Sequence, residues 1–222
     1  ARSQGPGVDQ PMSQEHVIVL HGLWMRSFAM QLLARRLRAA GFRVSTLDYL
    51  TVAGSWQAST EHLAKRWQRL GPGKVHVVGH SLGGVLAVNV AQQFGKLPGG
   101  RIVCLGSPLN GSAVADRMRE LPGARWLLGK SAEVLHQGLP AWTGERQIGV
   151  VAGRKPVGLG KVLGRIQGAH DGTVAVEETR LAGIHAHRIV DSTHTGLVFS
   201  REVATLAANY LRSGEFAPVE SD

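Results

Sequence analysis

Lys74-Val75-His76-Val77-Val78-Gly79-His80-Ser81-Leu82-Gly83-Gly84-Val85-Leu86-Ala87 decides how this chain folds. An apolar run of strand length leads into Gly79-His80-Ser81-Leu82-Gly83, and a second apolar run, of helical character, follows. Strand, Gly-x-Ser-x-Gly, helix is the pattern of a sharp turn that presents a serine hydroxyl above a sheet. Gly79 and Gly83 stand where a side chain would collide with the folded turn or with the start of the helix. Ser81 is then expected in a strained backbone conformation, of the kind that gathers at functional sites. A chain with 29 glycines also produces this pentapeptide by chance, with Ser81 a bystander in a Gly-rich turn. The rest of the sequence has to decide.

Outward from this stretch the pattern alternates. Strand-like apolar runs occupy 16–20, 43–48, 74–79, 101–105, 147–152 and 186–190. Helix-like segments lie between or after them, at 28–40, 56–70, 84–95 and 199–212, and Gly41, Gly71 and Gly95 stand where helices should stop. Repeated strand–helix alternation means βαβ units, hence a mainly parallel sheet of about six strands covered by helices on both faces. In such sheets reactive groups collect at the carboxyl ends of the strands. Residues 111–146 are less regular, and two readings stay open: a connecting helix with loops, or a small cap over a site.

Composition sets bounds. The 222 residues are 43% hydrophobic, enough for a substantial core. No apolar run approaches the roughly 18 residues of a membrane span. The single cysteine, Cys104, sits in Arg101-Ile102-Val103-Cys104-Leu105 and reads as a small buried core residue. It excludes an internal disulfide and suits a reducing compartment. The net charge of +9 is dispersed, without an aromatic-interleaved basic stripe. Weak attraction to anionic surfaces is expected from it, but not nucleic-acid binding. The polar start of the chain lacks an apolar signal core, so a cytoplasmic location is expected.

A serine hydroxyl needs a base to take its proton, and the base needs a third group to orient it. In this fold type the order along the chain is Ser, acid, His. Asp171, in His170-Asp171-Gly172-Thr173-Val174, and His194, in Asp191-Ser192-Thr193-His194-Thr195-Gly196, follow successive strands in that order. Asp191 is the rival acid, but it lies three residues from His194 on one short loop. Asp48 precedes Ser81 and breaks the order. Of the ten histidines, His76, His185 and His187 lie in or before strands, His136 lies in the irregular region, and His170 adjoins the acid. His80 reads as packing beneath the turn, pointing away from Ser81. The developing oxyanion needs two N–H donors. Leu82, at the start of the following helix, supplies one. Leu23, in His21-Gly22-Leu23-Trp24 after the first strand, supplies the other, with His21 shaping the loop. Trp24, Leu109 and Leu197 are candidate pocket residues, chosen for their place in strand-end loops. No residue set suggests a metal or a cofactor.

His-Gly-Leu-Trp at 21–24, Gly-His-Ser-Leu-Gly-Gly at 79–84, Gly-Ser-Pro-Leu-Asn-Gly-Ser at 106–112, Asp-Gly-Thr-Val at 171–174 and Thr-His-Thr-Gly at 193–196 together resemble the α/β-hydrolase superfamily. Within it they resemble bacterial lipases and esterases. The resemblance implies hydrolysis of a small-molecule or lipid carboxylic ester through an acyl-enzyme, without a cofactor. It also implies one α/β-hydrolase domain over 13–214, between a flexible extension at 1–12 and a flexible tail at 215–222. The core begins directly with the strand before His21, without the leading hairpin usual in the superfamily. A thioesterase, amidase or acyltransferase would use the same machinery, and a non-catalytic binding module would have a broken triad.

Overall fold

The computed structural model describes residues 14–23, 25–51, 54–121, 128–157 and 166–217. Its elements run β1 (His16–Leu20), α1 (Gln31–Ala39), β2 (Arg43–Leu47), α2 (Trp56–Arg69), β3 (Val75–His80), α3 (Leu82–Gln93) and β4 (Ile102–Leu105). There follow α4 (Ala113–Glu120), α5 (Ala132–Gln137), β5 (Ile148–Gly153), β6 (Ala186–Val190), α6 (Gly196–Phe199) and α7 (Arg201–Ser213). The six strands form one sheet in the order β2-β1-β3-β4-β5-β6. Every neighbouring pair is parallel. The expected architecture, a minimal core of six parallel strands with helices on both faces, is what the chain adopts.

The strand runs are continuously apolar because the two faces of the sheet are buried separately. Ile18, Leu20, Val77, Ile102 and Val150 join one cluster, with Leu63 and Trp67 of α2 and Val85 and Leu86 of α3. Their sequence neighbours Val17, Val19, Val78, Val103 and Val151 join the other, with Leu33 and Leu37 of α1 and Leu206, Tyr210 and Leu211 of α7. Side chains alternate between the faces with period two, so a strand covered on both sides needs an apolar residue at every position. Cys104 is fully buried, and burial pushes its thiol up to about 12, in keeping with its reading as a core residue.

Three segments differ from the sequence expectation. The helix placed at 84–95 starts at Leu82 and ends at Gln93, because Ser81 itself is its N-cap residue. The helix placed at 199–212 is two helices that break at Ser200. Ser200 is extended (φ −73°, ψ 133°), and its hydroxyl accepts the Val203 N–H at 3.2 Å. A cap of this kind starts a new helix rather than continuing the old one. The start of the 28–40 helix is a 3-10 turn, Ser27–Met30, whose Ser27 N–H and hydroxyl donate to Asp48 at 2.8 and 2.7 Å. Residues 1–12, read as a flexible extension, lie outside the described residues. Within the segment read as a tail, the Phe216 ring stacks on Tyr210 with centroids 4.7 Å apart, and 218–222 lie outside the description. No helix among the described residues is long and apolar enough to cross a membrane.

Trp67 locks α2 to the sheet. Its ring is fully buried, its indole N–H donates to the Val75 carbonyl at 3.2 Å, and the Arg146 guanidinium lies 4.8 Å from the ring centroid. Trp67→Ala is expected to cost about 3–5 kcal/mol in urea unfolding, with the m-value unchanged.

Candidate active site

The chain turns from β3 into α3 in one step, and Ser81 is the residue at the corner. It has φ 53° and ψ −122°, the one non-glycine residue with positive φ among the described residues. The turn closes because Gly79 has no side chain: a Cβ there would stand 2.4 Å from the Gly84 nitrogen and 2.5 Å from the Gly83 carbonyl oxygen. A Cβ at Gly83 would stand 2.6 Å from the His21 carbonyl oxygen. Both glycines therefore have the steric roles expected of them. The Ser81 N–H donates to the Leu105 carbonyl at 2.8 Å, tying the corner to the end of β4.

Asp171 and His194 meet above the ends of β4 and β5. His194 Nδ1–H donates to Asp171 Oδ2 at 2.7 Å, and the His194 backbone N–H donates to the Asp171 carbonyl at 2.9 Å. The second carboxylate oxygen of Asp171, which is almost fully buried, accepts the N–H groups of Thr173 at 2.9 Å and Val174 at 2.8 Å. Three N–H donors thus compensate the cost of burying this charge. The pair lies against Gly106 (φ +55°), where a Cβ would stand 3.0 Å from Asp171 Oδ2 and 3.2 Å from His194 Nδ1. Asp191, the rival acid, is exposed and bonds Arg154 instead. Ser81 and His194 line one cavity together. Among the described residues Ser81 Oγ makes no hydrogen bond to His194. Such contacts commonly close only when substrate is bound.

The loop after β1 presses on the corner. A Cβ at Gly22 would stand 3.0 Å from Ser81 Cβ and 3.1 Å from His80 Nδ1. His21 holds this loop from beneath: its Nδ1–H donates to the Gly22 carbonyl at 2.9 Å. Its ring stacks on Tyr49 at 4.6 Å, and the Tyr49 hydroxyl donates to the His21 carbonyl at 2.7 Å. Burial holds the His21 pKa below its ordinary value, so a neutral ring shapes the loop, as expected. The N–H groups of Leu23 and Leu82 donate to no acceptor among the described residues. Leu82 opens α3 with the unpaired donors that every helix start has.

The cavity holds about 330 Å³, at the small end of the range for ligand pockets. Its wall is apolar: Met25, Val114, Ala115, Met118, Leu128 and Leu135, with Leu23 and Leu82 near the turn. Two proposed pocket residues are not there. Leu109 is fully buried in the core cluster that includes α3, and Pro108 takes its place at the wall. Leu197 is fully buried on the opposite face of the sheet, its tip under Gly106, and Thr195 lines the cavity instead. In each case the loop side chain turns down into the sheet, where apolar burial is available. Trp24, the third, lies outside the described residues. The wall residues of α4, α5 and their flanks lie in the 111–146 segment, for which a small cap was one of two readings, but they were not named as pocket residues; the apolar face Val114–Ala115–Met118 of α4 was the signal for them. A larger hollow of about 810 Å³ lies at the amino ends of the strands, beside Lys74, Gly99 and Arg101. That end carries none of this chemistry. Among the described residues no cluster of three His, Cys, Asp or Glu side chains is placed to hold a metal ion.

His80 also departs from expectation. It does not simply pack beneath the turn: it lines the cavity, and its Nε2–H donates to the His194 carbonyl at 3.0 Å.

The sequence model of a family described as "Alpha/beta hydrolase family" matches residues 17–211. Among solved structures the chain is similar to a lipase of Bacillus licheniformis in mature form, at 19% identity and TM-score 0.71, covering 87% of this chain and 91% of that one. It is similar to a monoacylglycerol lipase of Paleococcus ferrophilus, at 16% identity and TM-score 0.61, covering 90% and 95%. It is also similar to a thioesterase domain bound with a dodecadepsipeptide, at 14% identity and TM-score 0.60, covering 92% and 94%. At these identities the likeness is one of fold. No curated protein sequence matches the chain.

Burial, and then the neighbouring His194, pushes the His80 pKa down from 6.5 to about 3. The unfolded chain therefore binds this proton first on acidification, and stability is lost as pH falls from 6.5 towards 3. Between pH 7 and pH 5 the loss is about 2 kcal/mol. Urea unfolding of His80→Gln is expected to show an acid loss smaller than that of the wild type by this amount; an equal loss would contradict it.

Proposed function

Because the chain belongs to the alpha/beta hydrolase family, we propose that it is a serine carboxylic-ester hydrolase, an esterase or lipase, with Ser81 as nucleophile, His194 as base and Asp171 as orienting acid. The observation that carries this reading is the Asp171–His194 pair, at 2.7 Å, whose histidine lines the same apolar cavity as a serine held at positive φ. A binding module would have no need of that strained serine, nor of a buried carboxylate with three N–H donors aimed at a histidine.

The proposed sequence of steps follows from these placements. Ser81 Oγ attacks the ester carbonyl as its proton passes to His194 Nε2. Asp171 holds the other ring nitrogen and stabilises the imidazolium that forms. The carbonyl oxygen becomes an oxyanion and takes the Leu23 and Leu82 N–H groups. His194 then gives the proton to the departing alkoxide, leaving an acyl group on Ser81. Water, deprotonated by His194, attacks the acyl carbon; the proton returns to Ser81 and the acid leaves.

The apolar wall from α4 and α5 supports an acyl chain as the group bound there, since among the described residues no Asp, Glu, Lys or Arg side chain lines it. The cavity wall supports reading 111–146 as a small cap over one domain spanning 13–214. Thioesters and amides would meet the same nucleophile, so the assay must include all three.

Wild type is expected to hydrolyse p-nitrophenyl esters of graded chain length. Ser81→Ala should lose about 10⁴-fold or more in kcat, and Asp171→Asn about 10⁴-fold. Turnover of thioesters or amides alone would move the reading to those classes, and full activity in Ser81→Ala would overturn it. A second expectation concerns the wall. Met118→Trp should move the optimum of kcat/KM to shorter acyl chains while leaving acetate ester turnover within about threefold, because each methylene denied burial forfeits about 0.8 kcal/mol.

A further inference from the structure

We propose that His80 is a positioning residue for His194: its imidazole grips the backbone of the loop that carries the base and so sets where that base stands relative to Ser81. The inference rests on the serine-hydrolase reading above.

His80 ends β3 and precedes Ser81 directly. Its side chain is almost fully buried, and its Nε2 lies 3.0 Å from the His194 carbonyl oxygen, 114 residues along the chain. A carbonyl only accepts, so the proton is on Nε2 and Nδ1 carries a bare lone pair. That Nδ1 has no hydrogen-bond partner among the described residues and faces Gly22 of the β1 loop. The two imidazoles lie beside each other, centroids 4.6 Å apart and planes tilted by 47°.

The other two ties on His194 both come from one residue. Asp171 takes its Nδ1–H and its backbone N–H. These orient the ring against the acid but do not relate it to the nucleophile. Among the described residues the His80 bond is the one hydrogen bond that joins the β3–α3 turn to the 191–196 loop. The shortest path from nucleophile to base is therefore one peptide bond and one hydrogen bond. A displacement of about 1 Å in such a pair can cost about 100-fold in rate. The residue also has to stay uncharged, because a second cation beside the imidazolium would oppose its formation. Burial keeps His80 neutral.

Substitutions that differ in reach test this. Gln places an N–H donor near the Nε2 position of the native ring, Asn places one only near Nδ1, and Leu has none. The rate at which a fluorophosphonate labels Ser81, followed by mass spectrometry, reports activation of the nucleophile without a known substrate. His80→Gln is expected to label within about threefold of wild type. His80→Asn and His80→Leu should label about 30- to 100-fold more slowly. On a p-nitrophenyl ester their loss should fall on kcat, with KM within about twofold. Folding of each variant is checked by its urea midpoint. If the Leu variant does not fold, the Gln and Asn variants decide alone. Wild-type labelling in folded His80→Asn, or equal losses in Gln and Asn, overturns the proposal. Absence of labelling in the wild type instead defeats the assignment of Ser81 as nucleophile, and the inference falls with it.

Discussion

Everything at the site depends on one corner that the backbone can turn only at a steric cost. Ser81 sits at φ 53°, a conformation that disfavours any residue with a Cβ. What keeps it there is close packing on both sides. The β3 backbone at Gly79 meets the α3 backbone at Gly83 and Gly84 at distances that leave no room for a Cβ. The Ser81 N–H is held by the end of β4. The strain is local and the restraint is distributed over the sheet, which is how a folded domain can hold an unfavourable conformation at a single residue.

A parallel sheet does the rest. All six strands point the same way, so the loops after β1, β3, β5 and β6 emerge at one end. Gly22, Ser81, Asp171 and His194 come from segments far apart in sequence and meet because of that shared direction. The choice between Asp171 and Asp191 shows how much a loop's own bonds matter. Asp191 is nearer to His194 in sequence, yet it points outward to Arg154. Asp171 is folded inward by the Thr173 and Val174 N–H groups.

The strands were legible because two-sided burial leaves a plain mark, an unbroken apolar run such as Val17–Leu20 or Ile102–Leu105. The order Ser, Asp, His along the chain was legible for the same reason, since each residue follows a recognisable run. The cavity was not. Its wall comes from α4 and α5, whose packing over Ser81 depends on contacts across the chain, while proximity to a motif suggested Leu109 and Leu197. Those two leucines went where apolar side chains gain most, into the core on opposite faces of the sheet. The break at Ser200 was hidden because the apolar spacing of 199–212 runs through it, and only the cap geometry shows the second start.

Three imidazoles crowd this end of the molecule, and their surroundings separate their roles. His21 lies under Tyr49, and burial lowers its pKa despite the nearby Asp48. His80 is buried as well, and burial and then His194 lower its pKa to about 3. Neither has a buried carboxylate against its ring. His194 has one, Asp171, at 2.7 Å. A positive charge is therefore penalised at His21 and His80, and the ring that a buried carboxylate faces is that of His194. His21 and His80 serve as neutral donors that fix backbone, one at the β1 loop and one at the loop that carries His194. The same residue type thus supplies both framework and proposed base, and the difference lies in which ring a carboxylate faces.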